Sequence, residues 1–331
     1  MNSIERKKFW DALCNIYDNT YEHIQGLVAT INTPEYLCRF RTVSESTLLQ
    51  LQENKLYYSS ADYYDDPFDT FIHVDYASIK AMYNSIKNLL DSENPNFING
   101  LKGLENLIGI SAEQMLNNLE EHSWNILDFP EHINQIRTII QKNLFSICFC
   151  EDALNETLWL KYANNYKGFA LVYDVKNDNT YLCGKEDTCN KCRSMAEKPS
   201  LYPVYYTEDT FDATKFALAC MLWREKIPKA VFEFTAKAVM WDAERISLIK
   251  KKCHEYDQEW RMIRPTMLSE RSYIKMKPYK VILGLRMPDY EKMLVVSAAK
   301  IAGINSIEEL YINELDQLAC RKFYGLTDLN E

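Results

Sequence analysis

Four aspartates crowd the segment LYYSSADYYDDPFD at residues 56–69. A Mg²⁺ or Ca²⁺ loop needs carboxylates at set spacing, as in D-x-D-x-D-G, and this run lacks both the glycine and a bidentate glutamate. Asx side chains commonly bond their own backbone in turns, and Pro67 favours an extended residue before it. We therefore predict a structured turn in which Asp66 caps backbone amides. Tyr58 and Ser59 are predicted to end the strand before it.

Two arginines share one face of a predicted strand. The segment YLCRFR at 36–41 alternates, which places Leu37, Arg39 and Arg41 on the same side. An arginine fork binds phosphate in a bidentate manner, so these side chains are candidates for holding an anionic ligand. Arg39 lies deeper in the strand and is the stronger candidate. A surface ion pair is the alternative for either residue.

A second charged face is predicted in YDQEWRMIR. Strand alternation places Asp257, Glu259, Arg261 and Ile263 on one side of this segment. Such a row of two acids and a base is costly to bury without a partner or a function. Glu259 is therefore the candidate catalytic carboxylate, with Arg261 as its charge balance. The alternative is an exposed edge strand carrying a Glu–Arg ladder of little energetic consequence.

The segment CGKEDTCNKC contains three cysteines that raise the question of zinc. Cys183, Cys189 and Cys192 would supply three of the four ligands of a structural zinc, and Cys253 or His254 would have to supply the fourth. Free thiols explain the same loop equally well. The chain contains no H-E-x-x-H, G-x-S-x-G or P-loop motif, so neither a hydrolase triad nor ordinary ATP chemistry is indicated.

The elements that must position these residues form a mixed α+β pattern, with a central mixed or antiparallel sheet. We predict one domain over residues 1–331, with an N-terminal helix at 4–26, a helical insertion at about 75–143 and a Cys-rich loop at about 176–200. The main sheet strands are predicted at 36–41, 55–60, 144–150, 168–174, 259–265 and 279–285.

Composition restricts the class of protein. The chain has 331 residues, 47% of them hydrophobic, and a formal charge of −9, which argues against a broad nucleic-acid-binding surface. No run approaches the roughly 20 apolar residues of a membrane span, and the start of the sequence has no signal-peptide centre. Ten scattered cysteines are typical of reduced thiols. These features predict a soluble cytoplasmic protein without a membrane partner.

Four ordered motifs resemble the bacterial family of unknown function DUF2971. They are LCRFR…LLQLQENKLYYSSADYYDDPFD, CFCEDALNETLWLKYANNYKGFALVYD, YDQEWRMIR and VILGLRM, and they extend from about residue 36 to 287. The sequence departs from the usual pattern at Asp65, where the family commonly has Asn, and at Cys150, where it commonly has Ser. Neither departure removes a candidate catalytic group.

The resemblance implies a distant ADP-ribosyltransferase-like arrangement and NAD as the substrate. In that arrangement Arg39, with Arg41, would hold the dinucleotide, Tyr58 and Ser59 would line the nicotinamide pocket beside Asp66, and Glu259 would activate the ribose. The resemblance also implies a toxin or phage-defence role, with an unknown protein or nucleic acid as acceptor and an inhibitor or defence-system partner.

Two other functions stay open at this stage. The same scaffold would serve a non-catalytic binding or regulatory protein that contacts a partner through its helical insertion and N-terminal helix. A metal-dependent phosphoesterase or nuclease would instead use the carboxylates of Asp62, Asp65, Asp66 and Asp69.

Overall fold

The computed structural model describes residues 1–18, 20–89, 129–176, 201–224, 239–265 and 273–325. The middle of the predicted helical insertion and nearly all of the predicted Cys-rich loop, with Cys183, Cys189 and Cys192, lie outside these residues. Within them, no helix is long and apolar enough to cross a membrane.

The helices of the described part are, in chain order, α1 (Ser3–Cys14), α2 (Tyr21–Ala29), α3 (Glu45–Gln52), α4 (Tyr76–Leu89), α5 (Phe129–Asn143), α6 (Glu156–Tyr162), α7 (Thr214–Arg224), α8 (Asp242–Ser247) and α9 (Asp289–Ile301). Short 3₁₀ turns occupy Ala61–Tyr63 and Lys252–Asp257.

The strands are β1 (Tyr36–Arg41), β2 (Lys55–Tyr57), β3 (Ser59–Ser60), β4 (Leu144–Cys150), β5 (Phe169–Asp174), β6 (Leu201–Pro203), β7 (Tyr205–Thr207), β8 (Ile249–Lys251), β9 (Glu259–Pro265), β10 (Tyr273–Lys275), β11 (Lys280–Leu283), β12 (Ile307–Ile312) and β13 (Leu318–Lys322).

A nine-stranded mixed sheet organises the molecule and confirms the α+β prediction. Its order is β13-β12-β11-β5-β1-β4-β9-β6, with β3 attached to β4. The pairs are antiparallel except for β11 with β12, which the connecting helix α9 makes parallel. Helices α3 and α9 pack on one face and α6 on the other, while α4, α5 and α7 share a separate apolar cluster.

Strand β1 pairs fully with β5, and β4 pairs fully with β9, but β1 and β4 hardly pair with each other. Six residue pairs join β1 to β5, and seven join β4 to β9. The only registered pair between β1 and β4 is Cys38 with Cys150. The two halves of the sheet therefore diverge from this point, and the divergence leaves room for a cleft.

The predicted helix at 4–26 is wrong in its continuity, because two helices replace it. Helix α1 begins with a capping box in which the Asn2 side chain accepts from the Glu5 amide, and it ends at Cys14. The Asp18 side chain then accepts the Thr20 amide at 3.0 Å. Asx side chains that bond nearby backbone compete with helix propagation, which explains the break.

The predicted strand at 55–60 is likewise divided. β2 pairs with β10 in a separate two-stranded sheet, whereas β3 joins the main sheet through Ser59 and Ser146. Tyr58 lies at the change of direction and is buried in the main core. Helix α3 begins after Ser44, whose side chain accepts the Thr47 amide and caps the helix.

The turn after α6 sets the position of that helix against β1. Asn164, Asn165 and Tyr166 all have positive φ, and the chain then returns to the sheet at Gly168. A Cβ at Gly168 would lie 2.1 Å from the Arg41 carbonyl oxygen and 2.9 Å from the Ala163 Cα. These contacts are backbone atoms that cannot move aside, so the close approach requires glycine.

We expect Gly168→Ala to lower the free energy of unfolding by about 3 kcal/mol or more, because the added methyl group overlaps backbone on two sides. Gly26→Ala is the matched control, since it is exposed in α2 with no atom within 4 Å of the new Cβ. That change should stabilise the protein by about 0.5–1 kcal/mol through helix propensity. Chemical denaturation of both variants measures the contrast, and equal effects would contradict it.

Candidate active-site cleft

A cavity of about 630 Å³ lies where β1 and β4 diverge. Its walls come from β1, β4 and β9, from the turn at 63–69 and from the segment at 250–257. Most of the candidate residues meet here. Arg39, Arg41, Ser59, Asp66 and Glu259 all line this one cavity, although they are separated by up to 220 positions in sequence.

The β1 wall carries two cations for which the described part of the chain provides no carboxylate partner. Arg39 is only 8% exposed, its guanidinium lies 5.7 Å from the Phe149 ring centroid, and its Nη1 has no hydrogen-bond partner among the described residues. The Arg41 Nη1 reaches only the Phe40 carbonyl oxygen, at 3.5 Å. A buried guanidinium without an anion is unfavourable unless a ligand supplies one.

The pKa values of these two arginines reflect the same shortage of anions. Burial lowers the pKa of Arg39. Burial, together with the neighbouring charge of Arg39, lowers the pKa of Arg41 to about 9. Both shifts mean that the positive charges lack compensation in the folded protein, which is the electrostatic condition for an anion-binding wall.

The opposite wall is an ion cluster centred on Arg261, in which every N–H of the guanidinium is used. Its Nη1 and Nη2 donate to the two Asp69 oxygens at 2.8 and 2.6 Å, and its Nε and Nη2 donate to the two Glu259 oxygens at 2.8 and 3.1 Å. The remaining Nη1 proton is directed to the Ser247 carbonyl oxygen at 2.8 Å. Arg261 is 1% exposed, and its planar guanidinium group lies over the Tyr64 ring.

Lys250 joins three carboxylates in the same cluster. Its Nζ lies 2.9 Å from Asp257 Oδ2, 3.1 Å from Glu259 Oε2 and 3.4 Å from Asp69 Oδ2. Burial lowers the pKa of Lys250, but the Glu259 and Asp69 charges outweigh that effect and raise it overall. The ammonium is therefore held in its charged form.

Glu259 is held as a carboxylate. Burial raises the pKa of Glu259, but the charges of Arg261 and Lys250 outweigh burial and hold it well below its usual range. An ionised group with such a low pKa is unsuited to donate a proton at neutral pH. It is suited to accept a hydrogen bond or to stabilise a positive charge that develops beside it.

The convergence of Asp257 with Glu259 arises from a turn, which strand alternation did not predict. Asp257 closes the 3₁₀ turn, and Gln258 adopts a left-handed conformation with φ 44° before β9 begins at Glu259. The predicted common side is confirmed for Glu259 and Arg261, which bond each other within β9. Asp257 reaches the same cluster through the Gln258 turn.

The turn prediction for residues 65–69 is confirmed. Asp66 Oδ1 accepts the Phe68 amide at 2.9 Å, and its main-chain oxygen accepts the Asp69 amide at 3.1 Å. Its other carboxylate oxygen lies 3.2 Å from His254 Nε2. Asp69, at the end of the turn, is 4% exposed and anchors Arg261. Asp65, Asp66, Pro67 and Asp69 of the turn line the cleft, and Asp69 is also the carboxylate that binds Arg261.

Two residues of the sequence analysis lie away from the cleft. Tyr58 was predicted to line it, but its side chain is buried in the core beneath the sheet because the chain turns between β2 and β3. Glu151, which follows β4 in the second of the four motifs, accepts from Arg6 Nη2 at 2.5 Å, from Trp260 Nε1 at 2.6 Å and from the Met1 amino group. Its role is to tie α1 to the sheet.

Sequence reasoning gave no functional role to Lys250 or Tyr64, and it assigned His254 and Asp69 to metal sites only. Lys250 belongs to a run of three lysines at 250–252, which by itself indicates a solvated surface. Only the tertiary structure reveals that the first of them is turned inward.

No three His, Cys, Asp or Glu side chains within the described ranges are grouped so that they could hold a metal ion. Of the four aspartates proposed for a metal-dependent reaction, Asp69 is bound by Arg261, Asp66 by the Phe68 amide and Asp62 by Ser60. These side chains point to separate partners.

Comparison with known proteins gives no assignment: no family model, no curated protein and no solved structure matches this chain. The resemblance to DUF2971 therefore stays a prediction from the four motifs. The geometry of the cleft is the observation from which a function can be argued.

We expect Arg39→Met to raise the free energy of unfolding of the ligand-free protein by about 1 kcal/mol. The lowered pKa of Arg39 means that its charge is disfavoured in the folded state, and methionine fills similar space without a charge. Arg245→Met is the control, since Arg245 is equally buried but donates to Asp242 at 2.6 Å and to the Leu13 carbonyl oxygen. Denaturant unfolding should show opposite signs for the two changes; loss of stability in both would contradict the unpaired state of Arg39.

Two buried glutamates should show opposite dependence of stability on pH. The pKa of Glu259 is lowered in the folded state, so its stabilisation is complete above pH 4.5 and is lost as the pH falls below that value. Burial raises the pKa of Glu244 to about 7, so its ionisation destabilises the fold increasingly between pH 4.5 and 7. Relative to wild type, Glu259→Gln should therefore lose about 2 kcal/mol at pH 7, and this loss should shrink steadily as the pH falls below 4.5. Glu244→Gln should gain stability at pH 7 and nothing at pH 4. Urea unfolding at several pH values measures both trends, and parallel trends would refute the assignment.

Proposed function

We propose that this chain cleaves NAD by an ADP-ribosyltransferase-type reaction, transferring ADP-ribose to an acceptor or to water. The observation that carries the proposal is that one cleft is lined both by Arg39 and Arg41, which have no carboxylate partner among the described residues, and by an ionised Glu259. A dinucleotide needs both features, a fixed cation for its pyrophosphate and a carboxylate for the ribose that becomes positive.

Arg39 and Arg41 would bind the pyrophosphate. Neither guanidinium group has a carboxylate partner among the described residues, so a ligand with several negatively charged oxygens would bind to them favourably. Folding has already removed both groups from water, so ligand binding does not carry that free-energy cost again. Ser59, which is exposed at the cleft, would contribute a hydroxyl to the same ligand.

Glu259 would act on the ribose. In the proposed reaction the bond between the ribose C1′ and the nicotinamide nitrogen breaks, and nicotinamide leaves with the bonding electrons. The positive charge that develops on the ribose is stabilised by the Glu259 carboxylate. An oxygen or nitrogen nucleophile then bonds to C1′ and its proton passes to solvent.

The aromatic wall for nicotinamide would come from residues other than Tyr58. The rings of Tyr63 and Tyr162 line the cleft and are 81% and 41% exposed. Exposed rings beside a polar cluster are free to stack on a planar ligand. A macromolecular acceptor, an inhibitory partner and a role as a cytoplasmic toxin or phage-defence effector belong to this proposal through the family resemblance.

A non-catalytic binding protein is the second candidate, and one observation favours it. Both Glu259 oxygens already accept from Arg261 and Lys250, as in a cluster that only holds the fold together. In that case the arginine wall would still bind an anionic ligand, but no bond would be broken.

The test is nicotinamide release from NAD by wild-type protein and by Glu259→Gln. We expect the variant to be at least about 100-fold slower, since a neutral amide cannot stabilise a developing cation. Glu309→Gln is the matched control, because Glu309 also bridges two cations, Lys292 and Arg321, at a site that does not line the cleft.

Rates are compared below the unfolding temperature of each variant, so that lost stability is not read as lost catalysis. Release by Glu309→Gln should match wild type. No release by wild type, with NAD still raising its melting temperature, would favour the non-catalytic binding protein.

A further inference from the structure

Two buried polar atoms that line the cleft lack a hydrogen-bond partner among the described residues. One is a donor, Arg39 Nη1, and the other is an acceptor, Asp257 Oδ1. Their residues are only 8% and 6% exposed, so bulk water is a poor substitute partner for either atom. A ligand that completes this cleft must therefore present an acceptor at one wall and a donor at the other.

Asp257 is held rigidly in this position. Its Oδ2 accepts from Lys250 Nζ at 2.9 Å, and the left-handed Gln258 fixes its backbone next to Glu259. The Lys250 ammonium also donates to Glu259 Oε2 at 3.1 Å, so the two carboxylates are neighbours on one cation. The free Oδ1 is consequently a preorganised acceptor beside the proposed ribose-binding group.

The class of donor follows from the surrounding charge. Asp257 and Glu259 are each already paired with a cation, Asp257 with Lys250 and Glu259 with Arg261 and Lys250. The acceptor that remains, Asp257 Oδ1, needs only one more hydrogen-bond donor, and a neutral hydroxyl supplies it without adding a further ion to the cluster. Ribose carries two vicinal hydroxyls, which match two neighbouring carboxylates.

We propose that Asp257 is a ligand-binding residue that accepts a hydrogen bond from a ribose hydroxyl, while Arg39 binds the phosphate of the same nucleotide. This inference rests on the proposed function, in that Glu259 takes the other hydroxyl of the same ribose. It assigns the cleft to a phosphorylated ribose, so a ligand that offers only negatively charged oxygens would contact the arginines but leave Asp257 Oδ1 without a donor.

Two ligands and two variants test the assignment by calorimetric binding. Pyrophosphate offers only acceptors, whereas ADP-ribose offers both acceptors and ribose hydroxyls. Asp257→Ala should weaken ADP-ribose binding about 10-fold and leave pyrophosphate binding within about twofold of wild type. Arg39→Gln should weaken both ligands about 10-fold or more. Asp242→Ala, which removes a buried carboxylate outside the cleft, should change neither affinity.

A measurement on wild-type protein keeps the proposal testable if Asp257→Ala fails to fold. ADP-ribose analogues that lack the 2′ or the 3′ hydroxyl of the terminal ribose should each bind about 10-fold more weakly than ADP-ribose. Where Asp257→Ala folds, it should be indifferent to the loss of one of these two hydroxyls. Equal binding of both analogues and ADP-ribose by wild type would overturn the inference.

The outcomes also separate this inference from the proposed reaction. Binding of ADP-ribose that depends on Asp257, without nicotinamide release, would retain the ribose site and reject the NAD-cleaving activity. Nicotinamide release together with unchanged ADP-ribose affinity in Asp257→Ala would reject only the role of Asp257. Failure of wild type to bind ADP-ribose would overturn the inference outright.

Discussion

The fully paired guanidinium of Arg261 is the interaction on which the cleft depends. It joins the turn at 65–69, the start of β9 and the end of α8 through Asp69, Glu259 and the Ser247 carbonyl oxygen. The turn is far in sequence from the other two segments, and Arg261 and Lys250 together bind it to them. A buried ion cluster contributes little net stability when compared with apolar packing, but the loss of one partner leaves an uncompensated charge. Its value here is that it specifies one arrangement.

The two walls of the cleft have opposite electrostatic states. Every N–H of the Arg261 guanidinium has an acceptor, while Arg39 Nη1 has no hydrogen-bond partner in the described part of the chain. The first arginine holds the structure together, and the second is the one proposed to bind a ligand. A protein that leaves a buried cation unpaired gives up stability at that position, and such sacrifices concentrate at functional sites. This contrast, more than any motif, distinguishes the candidate binding residues from the structural ones.

The divergence of β1 from β4 turns these charges into a site. A single registered pair at Cys38 and Cys150 keeps the sheet connected at one end and opens it at the other. Glycine at 168 completes the geometry, since a larger residue would push the α6 turn away from β1.

The sequence by itself determined the α+β class, most of the sheet strands, the capped helix at 45–52 and the Asp66 turn, because alternation, capping and Asx chemistry are local properties. It also placed Arg39, Arg41 and Glu259 among the candidates, since a charge within an otherwise apolar strand is visible locally. Tertiary structure decided the rest. In the folded structure Tyr58 lies in the core and Lys250 pairs with buried carboxylates. Asp257 Oδ1 is buried without a hydrogen-bond partner among the described residues. Whether a charge is paired depends on residues distant in the chain, and no local pattern contains that information.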